Sequence, residues 1–232
     1  MPSSGPAGRW VILDVGETLI DETRVWSVWA DQLGIPRLTF MAVLGAEIAR
    51  GGSHHGVFAQ FGIEDWRTWA RGVESTYGGF QEVDLYPDAR AAMDRLRGLG
   101  HRLAVIANQP SGRDVELRAL GVEAEVMAMS QDMGVSKPDP AFFSRALTLI
   151  GSPDPASVAY VGDRIENDLV PATAAGMRAV WIRRGPWGAI QRPPDGVEPA
   201  LVVDSLAELS ERIDEAWADP RASALPGDLQ GG

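Results

Sequence analysis

The stretch from Arg9 to Ile20, RWVILDVGETLI, constrains the fold of this chain more than any other. Its apolar residues, Trp10 to Leu13, stop at Asp14, and the turn-forming tripeptide GET follows one residue later. An unbroken apolar run that ends in this way is typical of a strand buried on both faces of a parallel sheet. Open α/β sheets bind ligands at the carboxyl ends of their strands. The sequence therefore predicts that this strand delivers Asp14 to a binding crevice.

Strand and helix patterns alternate along the second half of the chain. Because helical patterns separate the strands, the crossovers are expected to be right-handed and the helices to cover both faces of the sheet. The sequence thus predicts a doubly wound parallel α/β sheet. The residues from Gly185 to Pro199, rich in Pro and Gly, are expected to form a long loop. Further strands are predicted at Leu103–Ile106, Glu125–Met129, Ser157–Val161, Arg178–Ile182 and Leu201–Val203.

The region between the first two predicted strands is helical in pattern. Apolar residues recur four apart, as at Val25 and Trp29, and glycines end each run. We therefore expect a small all-α cap domain at residues 21–80. It is inserted into an α/β core domain formed by residues 1–20 and 81–232.

Composition narrows the class of protein and the class of partner. The 232 residues include no cysteine, which excludes disulfides, thiolate metal sites and a cysteine nucleophile, and fits a reducing cytosol. The formal net charge of -11 repels nucleic acid and anionic lipid, so we expect neither as a partner. No membrane span or secretory signal is recognisable, and a cytoplasmic monomer or homodimer is expected. A small anionic substrate is compatible with the charge if a local cation attracts it.

Five polar residues follow predicted strands or lie in the loops just beyond them. They are Asp14, Asn108, Lys137, Asp163 and Asp168. Because the carboxyl ends of parallel strands share one edge of a sheet, we expect these side chains to lie close together.

Three of these residues are carboxylates, and their convergence requires a cation. If Asp14, Asp163 and Asp168 approach to about 4 Å, each like-charge contact costs about 4 kcal/mol at an effective dielectric of 20. With only oxygen ligands, and neither cysteine nor clustered histidine, the expected ion is a hard cation such as Mg²⁺.

These segments resemble the motifs of the haloacid dehalogenase superfamily. The loop SKPDP and the segment YVGDRIENDLVPATAAGM carry the resemblance most specifically, and ILDVGETL carries it in altered form. The resemblance covers about residues 9–20 and 87–183 and includes a helical cap inserted after the first strand. It implies the strand order three-two-one-four-five, which places Asp14 and Asp163 on neighbouring strands.

The resemblance also implies a metal site and a nucleophile. Asp14 and Asp163 would bind Mg²⁺ directly together with the backbone carbonyl of Gly16, and Asp168 would support them. Asp14 would attack phosphorus to give an aspartyl phosphate. Lys137 would hold the Asp14 carboxylate and neutralise charge in the transition state.

Phosphate-binding positions follow from the same resemblance. Asn108, nearby backbone amides and Lys137 would hold the phosphoryl oxygens, and Thr18 would brace the loop. At Ala107 the family usually has Ser or Thr, so one hydrogen bond to the phosphoryl group is lost.

A second departure from the family pattern concerns proton transfer. Phosphatases of the family carry an aspartate where this chain has Gly16, and losing general acid and base help costs about 10² to 10⁴ in rate. Glu17 is one residue further along and is an open alternative as proton donor. Without a donor, we expect rates to depend steeply on leaving-group acidity and to favour aryl or acyl phosphates.

Three functions are therefore considered for this chain. The first is a Mg²⁺-dependent phosphatase acting on small phosphate esters. The second is a 2-haloacid dehalogenase, because halide leaves without a proton. The third is a binding or regulatory protein with weakened catalysis.

In the cap, GGSHHG is expected to be a solvent-exposed loop, with substrate binding by His54 and His55 as the alternative. Trp66 and Trp69 are expected in the cap core.

Overall fold

The apolar runs form one parallel sheet in the computed structural model, which describes residues 8–218. In chain order the strands are β1 (Trp10–Leu13), β2 (Arg102–Ala107), β3 (Val126–Met129), β4 (Val158–Gly162), β5 (Arg178–Ile182) and β6 (Leu201–Val203). Across the sheet they lie in the order β3, β2, β1, β4, β5, β6. The predicted doubly wound parallel α/β fold is confirmed, and β6 extends it at one edge.

Helices account for most of the remaining described residues. Short 3₁₀ turns lie at Glu82–Asp84, Pro155–Ser157 and Ile213–Trp217, and a π-helical turn lies at Ile165–Leu169. The α-helices are α1 (Thr23–Gln32), α2 (Arg37–Ala49), α3 (Gly56–Gln60), α4 (Arg67–Tyr77), α5 (Ala89–Gly98), α6 (Arg113–Ala119), α7 (Ser130–Met133), α8 (Pro140–Leu149), α9 (Val170–Ala174), α10 (Gly185–Ile190) and α11 (Leu206–Arg212).

Alternate residues of the central strand β1 point into two apolar layers. Val11 and Leu13 pack in the layer that contains α5, α6 and α11, whereas Trp10 and Ile12 pack in the layer of α8 and α9. All four side chains are buried, so β1 exposes no face to solvent. Polar groups of this segment can therefore reach a ligand only beyond the strand end, where Asp14 lies.

The pairing register brings the ends of β1, β2 and β4 side by side. Leu13 lies opposite Val105 on one side and Val161 on the other. The backbone N–H of Asp14 donates to the carbonyl of Val161 at 2.9 Å, which extends the ladder by one residue. The ends of β1 and β4, with Asp14 and Asp163, are therefore neighbours, as the strand order implies.

The helical insertion has an aromatic core of its own. Helices α1 to α4 enclose a cluster built around Trp26, Trp29, Phe40 and Phe58. The expectation for Trp69 is wrong, because this side chain lies on the surface with 42% of its area exposed. The domain boundaries at residues 20 and 81 stay a prediction.

The long loop expected from Gly185 to Pro199 is wrong in its first part. Residues Gly185–Ile190 form α10, with Pro186 in the first turn, where its missing N–H costs no intrahelical bond. Trp187 of this helix is buried in the cap cluster, although it follows β5 of the core in sequence. Tertiary burial of one large side chain thus stabilises a helix in a stretch whose Pro and Gly content indicates a loop.

The helix after β4 begins earlier than predicted. The sequence indicates a start near Asp168, but the π-helical turn already starts at Ile165 and leads directly into α9. The sequence also predicts a helix after the SKPDP loop, with Asp139 as its cap and Pro140 as its first residue. This helix is confirmed: the Asp139 side chain accepts from the Ala141 N–H at 2.8 Å, and Pro140 occupies the first turn.

Within residues 8–218, every helix falls short of the length and hydropathy needed to cross a membrane. From the sequence we also expect a frayed tail from Pro220 onward, and this segment lies outside the described residues.

Candidate active site

Three buried carboxylates meet at the carboxyl edge of the sheet. Asp14 follows β1, Asp163 follows β4, and Asp168 lies in the π-helical turn. One oxygen from each lies within 4.8 Å of the others. Relative exposures of 7%, 2% and 1% keep these charges largely away from water. The structure therefore brings together the three carboxylates that the sequence singles out.

Lys137 lies between two of these carboxylates. Its Nζ is 2.8 Å from Asp14 Oδ1 and 2.6 Å from Asp168 Oδ1. Burial opposes the charged form, but the neighbouring Asp14 and Asp168 carboxylates outweigh it and hold the pKa of Lys137 well above its usual range. It is also the only lysine of the chain, whose other cationic side chains are arginines. The ammonium is a compact point charge, so the single Nζ atom contacts both carboxylates at once.

Asp163 receives no such compensation. Its Oδ2 is buried and has no hydrogen-bond partner among residues 8–218. Burial, followed by repulsion from Asp168 and Asp14, raises its pKa well above the ordinary value. Burial also raises the pKa of Asp168, to about 6, although Lys137 opposes the shift. Three carboxylates share one ammonium, so the orphaned oxygen of Asp163 and the all-oxygen donor set fit a hard cation.

The backbone around Asp168 is shaped to bring its carboxylate inward. Asp168 Oδ2 accepts from the backbone N–H of Arg164 at 3.0 Å. A Cβ at Gly162 would lie 2.4 Å from Asp168 Cγ, so only glycine leaves room for the carboxylate there. The absence of a side chain at the end of β4 thus makes space for a site residue six positions later.

Asn108 fastens the loop that carries Lys137. Its Oδ1 accepts from the Lys137 N–H at 2.8 Å, and its Nδ2 donates to the Lys137 carbonyl at 2.9 Å. The two bonds tie this loop to the end of β2 and so hold the lysine near Asp14. Asn108 also lines the cavity above Asp14. Its role as a phosphate ligand stays a prediction.

Thr18 and Ala107 lie apart from this cavity. Both are fully buried, and Ala107 packs in the apolar layer of α5. The Thr18 hydroxyl is buried with no partner among the described residues, while its carbonyl accepts from Arg184 Nη1 at 3.1 Å. Of the predicted phosphate-binding side chains, only Asn108 and Lys137 line the cavity.

Glu17 acts as a brace in the loop after β1. Its φ of 50° is in the left-handed region, and its side chain is buried. Oε2 accepts from the Tyr86 hydroxyl at 2.6 Å and Oε1 accepts from the Glu22 N–H at 3.1 Å. Burial raises the pKa of Glu17. Because both oxygens are engaged, these contacts support a structural task rather than the open alternative of proton donor.

Glu22 is a carboxylate of the cavity lining that the sequence reasoning missed. It precedes α1, but its side chain makes no cap hydrogen bond and turns toward Gly16 instead. A Cβ built on Gly16 would lie 2.5 Å from Glu22 Oε1. Burial, then repulsion from Glu17 and Asp14, raises the pKa of Glu22 to about 7. Only the missing side chain at Gly16 hints at this arrangement in the sequence.

The cap contributes one histidine to the cavity. His54 lines it, and its Nδ1 lies 3.2 Å from Nη1 of Arg164, whose guanidinium lies 4.6 Å from the centre of the Trp187 ring. Burial, with His55 and Arg164 adding repulsion, lowers the pKa of His54 well below its usual value. His55 is exposed and stacks on Trp66 at 4.2 Å. The expectation of a solvent-exposed loop therefore holds for His55 but not for His54.

Comparison with known protein families gives a match over most of the chain. The family model for haloacid dehalogenase-like hydrolases matches residues 9–176, from the start of β1 to just beyond α9. The chain belongs to this family. Membership in the haloacid dehalogenase-like hydrolases agrees with the motifs recognised in the sequence and identifies the chain as a hydrolase.

Curated relatives of this haloacid dehalogenase-like hydrolase include phosphatases. It is 31% identical over 143 residues to a glyceraldehyde 3-phosphate phosphatase from Methanopyrus kandleri, covering 60% of this chain and 61% of the relative. It is 36% identical over 141 residues to a phosphoserine phosphatase from Thermus thermophilus, covering 59% and 54%. The match thus spans little more than half the length of these relatives.

Solved structures of the family share the fold of this chain. A HAD phosphatase from Thermococcus onnurineus aligns with a TM-score of 0.58 at 22% identity, covering 88% of this chain and 97% of that one. The L-2-haloacid dehalogenase RSc1362 aligns with a TM-score of 0.67 at 16% identity, covering 90% and 99%. At these identities the likeness concerns architecture alone.

Proposed function

We propose that this protein is a Mg²⁺-dependent phosphatase that hydrolyses small phosphate esters through an aspartyl phosphate on Asp14. The observation that carries the proposal is the position of Lys137. Its Nζ bonds the Asp14 carboxylate, while the neighbouring Asp163 oxygen has no partner among the described residues. The site therefore combines an oriented nucleophile with a buried carboxylate, Asp163, that lacks a positively charged partner among the described residues.

Asp14, Asp163 and the backbone carbonyl of Gly16 are the groups proposed to hold the metal, with Asp168 supporting them. The carboxylates lie within reach of a common ion and offer only oxygen, the ligand type that Mg²⁺ prefers. When bound, the ion would neutralise charge on the phosphoryl oxygens and on the carboxylates around them.

The chain's own residues perform the covalent step. An oxygen of Asp14 attacks phosphorus, the phosphorus–oxygen bond of the ester breaks, the departing oxygen takes up a proton and leaves as the alcohol, and an aspartyl phosphate forms. Lys137 holds the Asp14 carboxylate in position and stabilises negative charge that develops beside it. Water then attacks the phosphorus and releases phosphate and free Asp14.

The shortage of positive charge favours this reaction over the two alternatives. Cleavage of a 2-haloacid would leave the partnerless oxygen of Asp163 unexplained. A protein that only binds could hold the same cation, but it would have no need of an Asp14 carboxylate oriented by Lys137. Halide release from a 2-haloacid in the presence of a chelator would instead support the dehalogenase alternative.

Replacement of the nucleophile tests the covalent route. We expect Asp14→Asn to lower Mg²⁺-dependent hydrolysis of 4-nitrophenyl phosphate by about 10⁴-fold or more. Intact-protein mass spectrometry of the wild type after brief exposure to substrate should detect one added phosphoryl group, absent from the variant. Equal rates for the two proteins would overturn the proposal.

A stability measurement tests the metal site without relying on activity. In chelator, Asp163→Asn removes an uncompensated buried charge, and we expect the free energy of unfolding to rise by about 1 to 3 kcal/mol. Mg²⁺ at 100 times its dissociation constant should stabilise the wild type by about 2.7 kcal/mol. The variant should show no such gain. Asp94→Asn, a surface substitution, should respond to Mg²⁺ like the wild type.

A further inference from the structure

The missing side chain at Gly16 leaves a space that another carboxyl group fills. A Cβ at this position would lie 2.5 Å from Oε1 and 3.0 Å from Cδ of Glu22. A side chain at position 16 and the Glu22 carboxyl group therefore cannot occupy this place together. Glycine at 16 is what allows Glu22, which comes from the cap side of the chain, to reach the loop after β1.

The conformation of Glu22 is not explained by helix capping. Although Glu22 immediately precedes α1, its carboxylate accepts no backbone N–H of that helix. Asp21 performs the cap function instead, because its Oδ1 accepts from the Thr23 N–H at 2.8 Å. Glu22 is held in place by Trp26, whose Nε1 donates to Oε2 at 3.3 Å. Oε1, the oxygen nearest Gly16, has no hydrogen-bond donor among residues 8–218.

Other groups around the cavity are less suited to exchanging a proton with a substrate. Each Glu17 oxygen accepts one hydrogen bond: Oε2 from the Tyr86 hydroxyl and Oε1 from the backbone N–H of Glu22. Asp168 is bonded to Lys137 and to the Arg164 backbone. Glu22 lines the same cavity as Asp14 and offers it an oxygen without a protein donor.

On this geometry, and building on the proposed function above, we propose that Glu22 is the general acid and base of the phosphatase reaction. As Asp14 attacks phosphorus, the protonated Glu22 gives its proton to the oxygen of the departing alcohol. The carboxylate then takes a proton from the water that attacks the aspartyl phosphate. One turnover yields the alcohol, phosphate, ionised Asp14 and protonated Glu22, so atoms and charge balance.

The first test is the dependence of the rate on the leaving group. The substrates are 4-nitrophenyl phosphate, phenyl phosphate and an alkyl phosphate, whose leaving groups need protonation to an increasing degree. We expect Glu22→Gln to slow the alkyl ester by about 10² to 10⁴-fold and the nitrophenyl ester far less. The slope against leaving-group acidity should steepen relative to the wild type. Equal losses for all three esters would overturn the assignment.

Glu17→Gln is the matched control, because it removes a carboxylate from the same loop. As a brace, Glu17 is expected to affect stability while the leaving-group slope stays that of the wild type. A steeper slope in this variant and not in Glu22→Gln would give the acid role to Glu17 and overturn the assignment to Glu22.

The competition for space allows a rescue experiment. In Glu22→Ala the place beside Gly16 is empty, and adding Gly16→Asp returns a carboxyl group to it. We expect Glu22→Ala to lose hydrolysis of the alkyl ester. The double variant Gly16→Asp/Glu22→Ala should hydrolyse this ester at least tenfold faster than Glu22→Ala does. Circular dichroism of each variant establishes that it is folded. A folded double variant that is no faster than Glu22→Ala would count against a proton-transfer role.

These outcomes are distinguishable from failure of the phosphatase proposal itself. If Asp14→Asn hydrolyses 4-nitrophenyl phosphate as fast as the wild type, the covalent route is wrong. If Asp14→Asn is inactive and forms no phosphorylated protein, but Glu22→Gln has the wild-type slope, the phosphatase proposal stands and only the role of Glu22 is wrong.

Discussion

The carboxyl edge of the sheet and the cap face the same cavity, but they consist of different types of residue. The sheet edge supplies Asp14, Lys137, Asp163 and Asp168, charged groups packed within a few ångströms of one another and almost fully buried. The cap encloses an aromatic cluster and presents few charges to the cavity. Under the proposed function, the core therefore provides the groups for bond making, whereas residues at the junction with the cap determine what surrounds them.

The junction itself is tightly fastened. Arg24 of α1 donates to the buried Asp84 carboxylate at 2.7 Å through Nε and to the Tyr77 carbonyl at 2.6 Å. The Tyr77 hydroxyl also donates to Asp84, at 3.2 Å. The start of the cap is thus bonded to the segment that returns to the core, which holds Glu22, just before α1, close to the loop after β1.

Among the variants that compare the sheet edge with the cap, the largest combined loss of stability and activity is expected from replacing Lys137 on the core side. Lys137→Met removes the one ammonium among three buried carboxylates. We expect the free energy of unfolding in chelator to fall by about 3 to 5 kcal/mol. Hydrolysis of 4-nitrophenyl phosphate should fall by about 10² to 10³-fold, because a charge that stabilises the transition state is lost. Urea unfolding and steady-state kinetics measure the two effects.

Lys137→Arg separates charge from shape at this position. The guanidinium keeps the positive charge, but Lys137 is enclosed, with Tyr160 and Phe142 rings within 6 Å of its Nζ. We expect the variant to recover part of the stability and little of the activity. Wild-type activity in Lys137→Arg would mean that net charge alone matters here and would weaken the claim that geometry at the sheet edge sets the chemistry.

The next largest effect is a loss of stability, and it tests whether packing of the cap requires a side chain from the core segment after β5. Trp187 follows β5 of the core yet is buried in the cap cluster beneath Arg164. We expect Trp187→Ala to lower the free energy of unfolding by about 3 to 5 kcal/mol in urea titrations. Trp69→Ala, at an exposed position of the cap, should change it by no more than about 0.5 kcal/mol. Similar losses for both variants would remove the special role of Trp187 at the junction.

The same comparison explains how much of the molecule could be predicted from its sequence. The positions of Asp14 and Asp163 can be predicted because an apolar run ends at each of them and parallel strands align their ends. The register then leaves little freedom for where these carboxylates go. The helical insertion is equally visible in the spacing of its apolar residues. These features depend on local pattern and on sheet topology.

Glu22 and Trp187 could not be predicted in this way. Glu22 is positioned by a tertiary contact with Gly16, and a glutamate before a helix reads as an ordinary helix-start residue. Trp187 lies in a Pro- and Gly-rich stretch whose helix is stabilised by burial against the cap. Both residues lie where core and cap meet. Trp187 packs against residues far away in the chain, and Glu22 reaches Gly16 through the turn between them; no regular spacing of residues encodes either contact.

The smallest effect is expected from a variant that distinguishes carboxylates with a structural role from those proposed to act in the reaction. Asp139 is two residues from Lys137 in the same loop, but its side chain caps α8 through the Ala141 N–H. We expect Asp139→Ala to lower the free energy of unfolding by about 1 kcal/mol, the usual cost of losing such a cap. The kcat should stay within about twofold of the wild type, because the loop is also held by Asn108 through both backbone groups of Lys137. If kcat instead falls tenfold or more while stability changes little, the loop is positioned by its helix cap rather than by its contacts with β2. The sheet edge would then no longer be a sufficient account of how the lysine reaches Asp14.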